Sequence, residues 1–184
     1  LIEARQVAAL VASFHDEQDQ AAEKSRELVL QMLEHSAAPF SRRQFKPGHI
    51  TCTGLVLDPE RKSILLVHHR RLDRWLLPGG HVERKDGEIW ETARREVSEE
   101  TGAKLNSSSP SPLVGIDVHG IPPGRGEPFH LHHDLIFGFQ ATSTEASPTE
   151  EVRSVAWCEV ADWQRYNVPA SIRHSALRAL ALLV

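Results

Sequence analysis

Apolar residues recur along this chain with two different periods. Near the start, Val7, Leu10, Val11 and Phe14 return at helical spacing. A polar joint, HDEQDQ, separates them from a second stripe of Leu28, Val29, Met32 and Leu33. No Pro or Gly occurs before Pro39, so the pattern predicts two helices over residues 1 to about 36. They read as an extension that packs on the rest of the chain or on a second copy of it. Residues 37–49 carry Pro39, Pro47 and Gly48 and read as a connector, with Arg42, Arg43 and Lys46 as a solvated basic patch. Beyond it the period shortens. ITCTGLVLD and SILLVHHR predict two strands joined by a PERK turn, and the second is apolar enough to be buried on both faces. LVGIDVHGI, FHLHHDLIFGFQA and EVRSVAWCEV predict three more. Between the second and third strands, Ile89, Ala93 and Val97 mark a helix, with Asp86 as its N-cap and Gly102 at the left-handed position that ends it. A last helix follows Pro169, with Ile172, Ala176, Leu180 and Leu183 along one side. The polar loops LNSSSPSP and GRGEP interrupt the later strands, and the second lacks the length and the Lys of a P-loop. The order of elements predicts an α/β fold: a mixed sheet with helices on its faces, preceded by a helical extension.

Composition narrows the function. Hydrophobics at 40% and charged residues at 25% suit a soluble globular protein. A net charge of −4 gives no footprint for a nucleic-acid duplex. No apolar run approaches the ~18 residues of a membrane span. The first residues lack a signal-peptide arrangement, and the chain opens on Leu rather than Met, as expected where a natural start lies upstream. Cys52 and Cys158 have no metal-type spacing and read as buried thiols of a cytoplasmic protein.

The chemistry concentrates between Leu77 and Ala103. Glu96, Glu99 and Glu100 stand at i, i+3 and i+4, on one helix face beside the apolar stripe. Like charges so placed repel by a few tenths of a kcal/mol per pair, which a hard divalent cation would remove. Mg²⁺ takes oxygen ligands and bridges to substrate phosphates. Gly79 and Gly80 let backbone come close to a ligand, so a carbonyl of this turn is a further candidate donor. Arg95, among the acids, is placed to hold a carboxylate. On the later strands His130, His132 and Asp134 share one face, and Asp117 and His119 form a similar pair. These groups, with His81, suit substrate contacts, a hydrogen-bonded polar face or a histidine metal site. His68 and His69 read as structural.

Gly80, the acids and then Arg95-Glu96-Val97-Ser98-Glu99-Glu100-Thr101-Gly102-Ala103 resemble the Nudix box, G-x5-E-x7-R-E-U-x-E-E-x-G-U, where U is bulky and apolar. The second half agrees residue for residue, with Ala103 as a small final apolar. The first half is one residue longer, which leaves Asp86, Glu88 or neither as its first acid. Trp157 agrees with a Trp that ends a late strand in this family. The resemblance implies a Nudix-type α/β/α sandwich over residues 47–184, with residues 1–46 as extension and linker. It implies hydrolysis of a nucleoside diphosphate linked to another moiety, a small nucleotide-type substrate. Glu96, Glu99, Glu100 and the Gly79 carbonyl would bind Mg²⁺ or Mn²⁺. Glu99, Glu100 and Arg95 would serve catalysis. The general base would be a box glutamate or an acid from outside, for which Glu150, Glu151 and Asp134 are candidates. His81, His119, His130, His132, Asp134 and Glu151 are candidate substrate contacts. The N-terminal helices are a candidate homodimer surface. The competing expectation is a Nudix-fold module that senses a nucleotide without cleaving it, and the retained acids and Arg95 weigh against it.

Overall fold

The computed structural model describes residues 1–107, 109–124 and 126–183. Ser108 and Arg125, within the two polar loops read above, and Val184 lie outside the described residues. In chain order the elements are α1 (Ala4–Ser13), α2 (Gln20–His35), β1 (Gly48–Leu57), β2 (Ser63–His69), β3 (Arg74–Leu76), β4 (Gly79–His81), α3 (Ile89–Thr101), β5 (Leu113–Ile121), β6 (His130–Gln140), β7 (Val152–Glu159) and α4 (Ala170–Leu182). The strands form one mixed sheet in the order β3-β2-β1-β6-β5, with β4 also paired to β1 and β7 to β2. β1 and β6 run parallel, and the other pairs are antiparallel.

Helices cover both faces of this sheet, and the strand periodicity decides which residues meet them. Ile50, Cys52 and Val56 of β1 and Leu135, Phe137 and Phe139 of β6 join one core with Ile89, Ala93 and Val97 of α3. Val7, Val11 and Phe14 of the first helical stripe and Val29, Met32 and Leu33 of the second are buried in the same core. The N-terminal helices therefore pack on the sheet of their own chain. Leu28 departs from the predicted stripe: it is half exposed, and Ala22 and Ser25 take the buried positions one turn earlier. On the opposite face Leu55, Leu57, Ile64, Leu66 and Ile136 pack against Ala176 and Ala179 of α4, with Ile172, Leu180 and Leu183 around them. Alternate positions of β1 thus feed two different cores. Cys52 and Cys158 are both free and buried. No described helix is long and apolar enough to cross a membrane.

Two local expectations change. The Pro-Gly-Gly segment is more than a turn, because Gly79–His81 pairs with Thr51–Thr53 as a short strand. The α3 helix starts at Ile89 with Glu88 before it, so Asp86 is not its N-cap. Glu91 accepts instead from the backbone N–H groups of Gly87 (2.9 Å) and Glu88 (3.0 Å). Gly102 ends the helix in the left-handed conformation, φ 63°, as expected.

The close seating of α3 depends on Gly54. A Cβ there would lie 2.3 Å from Cγ2 of Val97. Gly54→Val is expected to destabilise the protein by about 1–3 kcal/mol through overpacking. Urea unfolding measures it, and a variant as stable as the parent would show that α3 is free to shift.

Candidate active site

Arg95 leaves the inner side of α3 with its side chain only 12% exposed. A guanidinium has five N–H donors in a fixed fork. Here Nε donates to Oδ1 of Asp86 (3.0 Å), and Nη2 to Oδ2 of Asp86 (3.1 Å) and to the His81 carbonyl (2.8 Å). Nη1 donates to Oε1 of Glu96 (2.8 Å) and Oε2 of Glu99 (2.9 Å). Burial alone would favour the neutral form of Arg95, but its bonds to Asp86 and Glu96 outweigh it and hold the charge firmly in place.

Asp86 decides the irregular half of the motif. Its carboxylate also accepts from Thr92 Oγ1 (2.8 Å) and from the Glu83 N–H (2.9 Å). Burial opposes its charge, yet the Arg95 bonds win and its pKa falls below the ordinary 3.8. Asp86 is thus the acid that fixes Arg95, and Glu88 stands apart at the helix start. The loop turns between Glu83 and Asp86, where the Asp86 N–H donates to the Glu83 carbonyl.

The three helix glutamates have different surroundings. Glu99 is on the outside, its side chain 43% exposed. What burial it has works against its charge, but Arg95 and Lys85 (3.2 Å) outweigh that and lower its pKa. Glu96 and Glu100 are buried. Burial raises the pKa of Glu96 in spite of Arg95. Glu100 accepts from the Gly79 N–H at 2.9 Å, and burial, with the charges of Glu96 and Glu151, pushes its pKa up to about 8. A Cβ on Gly80 would come 2.5 Å from Oε1 of Glu96, so a residue without a side chain is needed there. Two buried carboxylates that resist ionisation, beside close backbone, match the donor set of a hard divalent cation. Bound Mg²⁺ or Mn²⁺ would offset the charge that the chain leaves unpaired.

Residue 81 points away from Gly80, to the other side of β4. There His49, His81 and His132 gather, with ring centroids 5.0 Å (49–81), 4.9 Å (49–132) and 5.4 Å (81–132) apart. His130 stacks on His49 at 5.1 Å, and His119 meets His132 at 5.7 Å. Burial lowers the pKa of His49 and His132, and it lowers His81 to about 4, so these rings are neutral at pH 7. His119 differs: its Nδ1 is 2.8 Å from Asp117 Oδ2, and that bond raises its pKa. Asp134 lies buried on the same face and accepts from Thr51 (2.9 Å) and Thr53 (2.7 Å). Glu150 and Glu151 are exposed in the turn before β7. His68 packs edge-on to Trp75, and His69 Nδ1 accepts from the backbone of Arg71 and Leu72 in the turn that follows β2. The structure thus brings together the four predicted histidines and adds His49, which the sequence reading missed. Its one trace in the sequence is the polar alternation His49, Thr51, Thr53 on β1, which points to the histidines only once β1 is known to pair in parallel with β6.

The NUDIX domain family matches residues 48–179 of this chain. The chain belongs to the NUDIX family. It is a hydrolase of that family, and its fold agrees with NUDIX structures across the sheet and its helices. A NUDIX-family hydrolase from Clostridium perfringens is 27% identical, with 74% of this chain and 98% of that one covered at a TM-score of 0.53. The NUDIX domain of Shewanella oneidensis NrtR, solved with ADP ribose, is 18% identical over 84% of this chain and 97% of its own, with a TM-score of 0.52. A Caenorhabditis elegans Ap4A hydrolase is 17% identical over 73% and 96%, with a TM-score of 0.51. The last two likenesses speak for the fold alone. Among curated proteins none matches the chain.

Asp86→Asn is expected to cost about 3–5 kcal/mol, because Arg95 keeps its buried charge and loses its main partner. The folded pKa of Asp86 is depressed, so its contribution is fully present above about 3.8 and is lost as pH falls through the lower folded value. Unfolding free energies against pH should therefore differ most near neutrality and converge in acid. A constant gap down to pH 2 would refute the assignment.

Proposed function

We propose that this NUDIX hydrolase cleaves a phosphoanhydride bond in a nucleoside diphosphate linked to a second moiety, and that it does so with Mg²⁺ or Mn²⁺. The observation that carries the reading is the pair of buried helix carboxylates, Glu100 and Glu96, set against the Gly79–Gly80 backbone; burial and the neighbouring acids push the pKa of Glu100 up to about 8. Glu96, Glu99, Glu100 and the Gly79 carbonyl would hold the metal, and the chemistry it would supply is neutralisation of diphosphate oxygens and a lower pKa for a bound water. Arg95 orients Glu96 and Glu99; it lowers the pKa of Glu99 and offsets part of the burial that raises that of Glu96. Gly79 N–H holds Oε2 of Glu100, which turns that carboxylate toward the Gly79–Gly80 strand. A water proton passes to a box glutamate or to Glu151, whose charge is felt at both Glu96 and Glu100. Asp134 is the weaker candidate, since both its oxygens are engaged by threonines.

Substrate contacts fall to His81, His119, His130, His132 and Asp134, on the polar face next to β4, and to Glu151, whose charge is felt at the box glutamates. Their half-exposed members, His119 above all, keep that face open to solvent. Residues 1–46 serve as extension and linker, and 47–184 form the hydrolase unit, a division supported by the family match from residue 48. The two buried free thiols suit a reducing, cytoplasmic setting.

Glu100→Gln is expected to lower kcat by at least about a hundredfold, the scale for losing one preorganised electrostatic group, with the melting curve retained. EDTA should abolish turnover, and Mg²⁺ or Mn²⁺ should restore it. Phosphate release from a panel of nucleoside triphosphates, nucleotide sugars and dinucleotides measures both effects and finds the substrate. An intact panel with metal present would instead favour a nucleotide-sensing module.

A further inference from the structure

The histidines behind β4 form a better-defined donor set than a polar floor needs. One ligand atom from each of His49, His81 and His132 lies within 4.8 Å of the other two. The three come from three neighbouring strands, and the pairing fixes them. His49 is opposite His132 in the parallel β1–β6 ladder, and His81 is opposite Thr51, one step along the same face. None of them depends on a loop for its position.

His49 shows which nitrogen is on offer. It is 1% exposed, and its Nδ1 lies 3.1 Å from the Gln44 carbonyl. A carbonyl only accepts, so Nδ1 carries the proton and Nε2 is left with its lone pair. That Nε2 is buried and has no hydrogen-bond partner among the described residues. A buried acceptor without a donor is costly. An imidazole whose far nitrogen donates to a carbonyl is also how metal-ligating histidines are oriented.

We propose that His49, His81 and His132 bind a transition cation of the Zn²⁺ class, at a site separate from the carboxylates of the box. Three neutral imidazoles suit Zn²⁺, Co²⁺ or Fe²⁺ and not Mg²⁺, which takes oxygen donors. Around a tetrahedral Zn²⁺ with bonds of ~2.0–2.1 Å, neighbouring nitrogens stand about 3.3 Å apart, so ligand atoms that lie within 4.8 Å of one another close by up to about 1.5 Å. His81 and His132 are only half buried, which leaves the fourth position to water or to an oxygen of an anionic ligand. Two aspartates on the same face, Asp134 and Asp117, offset the added positive charge at longer range. The residue between the two sites is Gly80, whose open side faces Glu96, while the His81 side chain faces the histidines. The backbone joins them, because Arg95 grips the His81 carbonyl from the carboxylate side. Metal binding at the histidines does not depend on the hydrolase reading.

The test uses the full chain, made without a histidine tag and stripped with chelator. Co²⁺ is titrated in the presence of excess Mg²⁺, and visible absorption and bound metal per chain are read. One equivalent with the intense bands of four-coordinate cobalt is expected. His49→Gln combined with His132→Gln should weaken binding by more than about a hundredfold, beyond the loss that attends a supporting partner alone. Glu96→Gln combined with Glu100→Gln should leave the bands in place. Circular dichroism melts show that each variant is folded, and the parent's cobalt spectrum stands without any variant. No uptake by the parent, a weak six-coordinate spectrum, or uptake that follows the glutamates and ignores the histidines would overturn the site.

Discussion

The site hangs on one guanidinium. Arg95 joins the 83–86 turn through Asp86, the β4 backbone through the His81 carbonyl, and its own helix through Glu96 and Glu99. All five donors are engaged, so no rotation of the group preserves the set. Lysine, with one compact ammonium, could not reproduce a planar fork that reads a carboxylate on one edge and a carbonyl on another. The arginine also answers part of the repulsion that three helix glutamates create. It pairs with Glu96 and Glu99, though burial still raises the pKa of Glu96. The frustration that remains is greatest on Glu100, a buried carboxylate held by one backbone N–H. Proteins keep such local conflicts mainly where function needs them.

β4 explains how one short segment can serve two kinds of chemistry. It is only three residues long, yet its pairing with β1 fixes the pleat. Gly80 opens toward the glutamates of α3, and His81 turns its ring to the opposite side. Oxygen donors lie on one side of the strand and nitrogen donors on the other. The glycine is required by contact with Glu96, and the histidine is placed by alternation. A shift of one residue in that register would exchange the two faces and destroy both.

Much of this was readable from the residues. The helical stripes, the long strands and the second half of the box all follow from periods of 3.6 and 2, because burial decides them. Asp86 was misread as a helix cap because local preference favours an aspartate at that point. Arg95, nine positions on, competes for the same carboxylate and wins with two charge-assisted bonds. His49 was missed for a different reason. Its partners are in β6 and β4, and nothing in the local pattern announces that β1 pairs in parallel with a strand far along the chain. Strand order is a property of the whole sheet, so a constellation built across it is invisible until that order is known.

The same reasoning gives the N-terminal helices a place in the site without putting them in it. β5 is the edge strand of the sheet, and an edge strand leaves every second N–H unpaired. Ser25 of α2 accepts one of these, from Val118 at 3.2 Å, while Val29, Met32 and Leu33 bury the apolar side of the helix on the sheet. Val118 stands between Asp117 and His119. With its backbone covered from the edge and its side chain drawn into the helical core, its two neighbours must point to the opposite face, toward Asp134 and His132. A segment outside the family match thereby fixes the direction of two polar side chains on the histidine-bearing face of the sheet. The pleat carries that constraint, with no contact between helix and site.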